Sequence, residues 1–146
     1  MSPMIFVNLP VTELERSVTL YAAMGWTQNL RFSDPTAACM VWSDTIHVML
    51  LTHAKWRGFT ERDIPDAHQS AQVLLCLSVE QRQDVDRLVE IAGRSGGSAD
   101  PNAIVDYPSM YSRSLSDPDG HIWEVMWMDP ASALLASEAE AGSSPS

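Results

Sequence analysis

Met110-Tyr111-Ser112-Arg113-Ser114-Leu115-Ser116-Asp117-Pro118-Asp119-Gly120-His121-Ile122-Trp123-Glu124-Val125-Met126-Trp127 reads as one hairpin. Residues 110–116 and 121–127 are predicted strands. Between them, Asp117-Pro118-Asp119-Gly120 puts Pro and Gly where a tight turn needs a fixed φ and a left-handed one. Alternation along the second strand places Glu124 with Ile122, Met126 and Met128 on one face. Trp123, Trp127 and His121 fall on the other.

Upstream of this hairpin, residues 71–79 form an apolar strand. A helix is expected from about Glu80 to Ala92, with Val85, Leu88, Val89 and Ala92 on one face and Gly93 closing it. Residues 94–108 hold Gly96-Gly97, Pro101 and Pro108 and read mostly as loop. The first half has the same order. Met4 to Leu9 is a strand that Pro10 ends. Thr12 and Glu15 have capping-box spacing, and Leu14, Val18 and Tyr21 share a helix face up to Gly25. Strands follow at about 26–32, 36–43 and 45–52.

The halves superimpose. Displaced by 68, Phe6-Val7-Asn8-Leu9 falls on Leu74-Leu75-Cys76-Leu77 and Gly25 on Gly93. Displaced by 74, His47-Val48-Met49-Leu50-Leu51 falls on His121-Ile122-Trp123-Glu124-Val125. A duplicated strand–helix–strands unit is the reading. It gives one domain over 1–130, with modules at about 4–52 and 71–129 and a connection at 53–70 that carries a short helix near Ala54 to Phe59. The tail 131–146, rich in Ala, Ser and Glu, is expected to be flexible.

Asn8-Leu9-Pro10-Val11, Leu14-Glu15-Arg16-Ser17, Tyr21 and Gly25-Trp26 resemble the opening of proteins of the vicinal oxygen chelate (glyoxalase/bleomycin resistance protein/dioxygenase) superfamily. Arg113-Ser114-Leu115 followed by Asp117-Pro118-Asp119-Gly120-His121-Ile122-Trp123-Glu124 resembles their ending. The resemblance implies an α+β fold of two βαβββ modules, whose curved mixed sheet forms a barrel-like cup with helices outside. It also implies a homodimer. Metal ligands in such proteins come from the first and last strands of each module. The matching positions here are Phe6, Leu50, Leu74 and Glu124, and only Glu124 can ligate. A transition-metal site needs about three or four protein donors, so no metal site and no cofactor are expected, a divalent ion being disfavoured.

Bulk properties narrow the partners. Nine Lys and Arg stand against nineteen Asp and Glu, a net charge of −10, which argues against nucleic acid and anionic membranes. No apolar run is long enough to span a bilayer, and Met1-Ser2-Pro3-Met4 opens no secretion signal, so a cytoplasmic location is expected. Cys39 and Cys76 lie in apolar segments and read as reduced core residues.

Site candidates follow from the cup. Glu124 is the catalytic candidate, as general base or hydrogen-bond acceptor. Phe6, Asn8, Trp42, Leu50, Leu74, Arg113 and Glu124 are the candidate substrate-binding residues. Asn8 offers an amide, Trp42 and Trp56 a stacking surface, and Arg113 a cation. Met126 and Met128 supply adaptable packing. Three functions remain open: a metal-independent cup for a small organic molecule, a metal-dependent glyoxalase-like lyase or dioxygenase, and an interaction module with a filled cup. The sequence leaves open whether any reaction is catalysed.

Overall fold

The computed structural model describes residues 2–132; the tail, from 133 on, lies outside the described residues. The first module runs β1 (Ile5–Val11), α1 (Leu14–Met24), β2 (Thr27–Asp34), β3 (Ala37–Val41) and β4 (Ile46–Thr52). A short α2 (His53–Arg57) opens the connection. The second runs β5 (Leu75–Ser78), α3 (Arg82–Arg94), β6 (Ser98–Ala99), β7 (Val105–Tyr107), β8 (Met110–Ser116) and β9 (Ile122–Met128). The sheets are β1-β4-β3-β2 and β5-β9-β8-β6, with β7 also on β8, and they form no closed barrel. In each, the first strand lies parallel to the last.

α1 and α3 pack on the same side, against each other and against one shared core. Leu9, Leu50 and Val48 of the first sheet meet Leu77, Trp123 and Val125 of the second beneath them. Full burial of such side chains stabilises by about 1.5–3 kcal/mol each. The opposite, helix-free faces of the sheets are where a cup can form.

Local signals hold unevenly. Gly25 ends α1 with φ +112 and its N–H on the Ala22 carbonyl. The expected capping box is not made: Glu13 is the N-cap, without a side-chain bond. The Thr12 backbone N–H instead donates to Asp119 Oδ1 of the second module at 2.9 Å, which removes the donor Glu15 would have met. The helix start is thus set by the partner module.

That exposed contact borders a buried seam. The Trp123 indole N–H donates to the Tyr21 hydroxyl (2.9 Å), which donates to Asp117 Oδ2 (2.9 Å). Asp117 Oδ1 accepts the backbone N–H groups of Asp119 and His121 at 3.0 and 2.9 Å. His121 Nε2 lies 2.7 Å from the Pro10 carbonyl. The Asp-Pro-Asp-Gly turn therefore does more than reverse a hairpin; it ties the modules together. Gly120, at φ +92, lets residues 67 and 68 of the connection lie against it, since a Cβ there would come within 2.8 Å of backbone.

The edge of the second sheet is interrupted. β6 pairs with the end of β8 (Ser98↔Ser116) and β7 with its start (Val105↔Ser112). Residues 100–104 bulge out between them, starting at Asp100 with φ 55. Such interruptions re-aim side chains, and here Asn102 turns toward β9.

Candidate functional site

Backbone pairing decides which side chains share the helix-free face. In the first sheet Phe6 lies beside His47, Asn8 beside Met49, and Leu9 beside Leu50. Leu9 and Leu50 are in the core, so Phe6, Asn8, His47 and Met49 face away from it. In the second sheet Glu124 lies between Cys76 of β5 and Ser114 of β8. Trp123 and Val125 are in the core, so Glu124, Cys76, Met126 and Ser112 face outward with Leu74 just ahead of β5.

Glu124 is the one acidic side chain on that strand face, and it is half-buried. Asn102 Nδ2 donates to its Oε1 at 3.1 Å and Ser112 Oγ to its Oε2 at 3.2 Å. Ser114 Oγ holds the loop by accepting the Asn102 N–H at 2.9 Å. No cation pairs with Glu124 among the described residues. Two neutral donors fix the carboxylate while leaving lone pairs free. Partial desolvation of its sulfur, and then the Glu124 charge, raise the Cys76 thiol above its ordinary value, which disfavours the nucleophilic thiolate.

Across the seam the Phe6 ring stacks on His47, with centroids 4.4 Å apart and planes at 15°. Phe6 stays 45% exposed while His47 is 9% exposed, with Nδ1 buried and unpartnered. The Asn8 amide makes only a 3.3 Å bond to the Phe6 carbonyl. Part of this face is already filled, since Ala37, Cys39 and Leu51 are buried on it.

No family model and no curated protein matches this sequence. Solved structures do resemble the fold. A hypothetical protein from S. aureus aligns at TM-score 0.71 and 22% identity, over 87% of this chain and 94% of that one. A glyoxalase/bleomycin resistance protein/dioxygenase family enzyme from Burkholderia phytofirmans aligns at TM-score 0.70 and 16% identity, over 87% and 99%. The fosfomycin resistance protein FosX of Mesorhizobium loti aligns at TM-score 0.60 and 17% identity, over 92% and 96%.

The chain has the vicinal oxygen chelate fold.

In that fold the two modules are equivalent, and the pairing fixes their register. Asn8 beside Met49 corresponds to Cys76 beside Glu124. Met49 therefore falls on Glu124, a displacement of 75 rather than 74. The expectation for Leu50 is corrected by this one residue: it is fully buried under α1, on the wrong face for the cup. A slip of one residue moves a side chain through the sheet. By the same step His47 lies on the cup side of the sheet.

Two further placements are corrected. Trp42 packs on Trp26 (centroids 5.3 Å apart) and against Gly25 on the helix side, so it offers no stacking surface in the cup. Arg113 lies beside Val125, opposite to Glu124, and is bound by Asp100 (2.6 and 2.9 Å) and Asp86 (2.8 Å). It clamps α3 to β8 and meets neither Glu124 nor a cup ligand. Cys76 is exposed rather than in the core. Phe6, Asn8, Leu74 and Glu124 keep outward positions.

The fold's metal positions are Phe6, Met49, Leu74 and Glu124, still with a single ligating group. These residues do not fit a divalent ion, and among the described residues no group of three His, Cys, Asp or Glu could hold one. No helix among the described residues is long and apolar enough to cross a membrane.

The clamp has a pH signature. A hydrogen bond from Tyr111, then the Arg113 guanidinium, hold the Asp86 carboxyl below its ordinary 3.8. A depressed folded value stabilises above the unfolded one and is lost as pH falls. Asp86→Asn is expected to flatten the fall in Tm below pH 3.8, measured by thermal unfolding across an acid series.

Asn102, Ser112, His47 and Met49 were absent from the sequence candidates. Ser112 and Ser114 were readable, since the Asp-Pro-Asp-Gly turn sets a hairpin register that places both on the Glu124 face. Asn102 carried no periodic signal, because it sits in a loop.

Proposed function

We propose that the helix-free face binds a small organic molecule without a metal, with Glu124 and Asn8 as polar anchors among Phe6, Leu74 and Met126. The observation that carries this reading is the pairing of Glu124 with neutral donors alone. Such a carboxylate can accept an N–H or O–H from a ligand, and any proton transfer at the site would fall to it. Apolar walls with a few placed polar groups are the usual composition of a small-molecule site. The similarity in fold to glyoxalase and fosfomycin resistance proteins is consistent with this but names no ligand.

A second copy of the chain completes the face in this reading. Phe6, Leu74, Tyr107 and Met128 are 45%, 55%, 60% and 39% exposed on the helix-free side, an apolar surface that a partner would cover. A monomer in sedimentation at micromolar concentration would remove this part of the proposal.

Thermal shift across a panel of small organic molecules, with and without a chelator, tests the main reading. A ligand should raise Tm equally in both. Glu124→Gln should keep the fold, because an amide can still meet Asn102 and Ser112, and should weaken that ligand by about tenfold or more. A stoichiometric metal in purified protein would instead favour a lyase or dioxygenase. No response to any ligand would favour the interaction module, which the buried Ala37, Cys39 and Leu51 on the same face support.

A further inference from the structure

A cavity that Glu124 does not line lies between the edge of β1 and the beginning of β9. It measures about 220 Å³ and is roofed by Trp56 of α2 and the connection at Pro65 to Val73. Leu9, Leu75 and Ile122 form apolar walls. No Asp, Glu, Lys or Arg lines it. A charged ligand would lose hydration there with no permanent counter-charge in the lining, which favours a neutral occupant.

Four polar side chains line it, Asn8, Ser70, Gln72 and His121, and of these His121 has its ring fixed by the seam. Its Nε2 lies 2.7 Å from the Pro10 carbonyl, which only accepts, so Nε2 carries hydrogen. In the neutral ring Nδ1 is then an acceptor. Among the described residues no hydrogen bond reaches Nδ1. The seam thus fixes one tautomer and leaves an acceptor at the lining of an apolar cleft. Trp56 supplies a flat surface for ring packing.

We propose that this cleft binds a small, neutral, planar molecule bearing one O–H or N–H donor, of which phenol is the simplest probe. The donor bonds His121 Nδ1 and the ring packs among Trp56, Leu75 and Ile122. A cavity of about 150 Å³ suffices for benzene, so the volume admits one ring with a substituent. The cleft shares Asn8 with the proposed cup but not Glu124, so a response at His121 and Trp56 is read separately from one at Glu124.

The test titrates the full chain, labelled with nitrogen-15, with phenol and with toluene, which has similar shape and no donor. Phenol should shift the His121 ring nitrogens and the Trp56 indole, with Kd on the order of 1 mM. Toluene should bind about threefold to tenfold more weakly, for want of one hydrogen bond. Ala71→Trp, at an exposed rim position, should plug the cleft and abolish the shifts. Trp56→Ala should weaken phenol, with folding checked in the same spectrum. Equal affinity for phenol and toluene would overturn the proposal. So would shifts confined to the Glu124 face, absence of binding, or phenol binding that survives both substitutions.

Discussion

Replacing Asp117 with alanine is expected to destabilise the protein by about 3–5 kcal/mol, more than any change on the helix-free face. Asp117 is 1% exposed and accepts three hydrogen bonds, from Tyr21 and from the N–H groups of Asp119 and His121. Alanine leaves all three donors without that acceptor, where water enters poorly, and the Trp123–Tyr21 bond loses its terminus. Tyr21→Phe should cost less, about 1–3 kcal/mol, because only one link is cut. Urea unfolding measures both, and a loss below 1 kcal/mol in Asp117→Ala would show that the seam is not a structural tie. Acid should affect wild type in a characteristic direction. Burial raises the Asp117 carboxyl above its ordinary 3.8, against the pull of His121 and Tyr21. A raised folded value gives a contribution complete below 3.8 and lost as pH rises through the folded value, the reverse of Asp86.

Gly97→Ala is expected to cost at least about 3 kcal/mol or to prevent folding. An added Cβ would lie 2.2 Å from the Ser116 carbonyl and 3.1 Å from that of Ala92, both backbone atoms that cannot swing aside. It would also press on Leu20 of α1 at 2.9 Å. The end of α3, the end of β8 and the core side of α1 meet at this one residue. Gly93→Ala is the control, because its Cβ would stand 3.6 Å from the Ala99 Cβ, an ordinary contact. In that helical position alanine should be neutral or stabilising by about 0.4–1 kcal/mol. Similar losses in the two variants would show that helix propensity, rather than space, governs this corner.

The duplicated architecture was legible because its carriers are local. Gly25 ends the helix of one module and the Asp-Pro-Asp-Gly turn closes the other, whereas Pro10, expected to end β1, lies inside it on the edge of the sheet and pairs with Leu51. The Val85, Leu88, Val89 and Ala92 stripe is fully buried as its spacing requires. The candidate site was less legible, and each miss has a physical cause. A strand alternates with period two, so an alignment of the halves that is wrong by one residue exchanged Met49 for Leu50. Arg113 looked available for a ligand because its partners, Asp86 and Asp100, are distant in sequence. Trp42 looked free because its neighbour Trp26 is brought to it only by the pairing of β2 with β3.

Sequence alone determined the strands, the helices, their repetition and the shortage of metal ligands at the strand positions. These follow from side-chain chemistry and short-range periodicity, which need no third dimension. Tertiary structure decided which face of each strand meets the helices, how the Asp117 turn joins the modules, and what surrounds Glu124. Those choices depend on contacts between residues far apart in the chain. A loop residue such as Asn102 acquires its role only when the fold brings it to its partner.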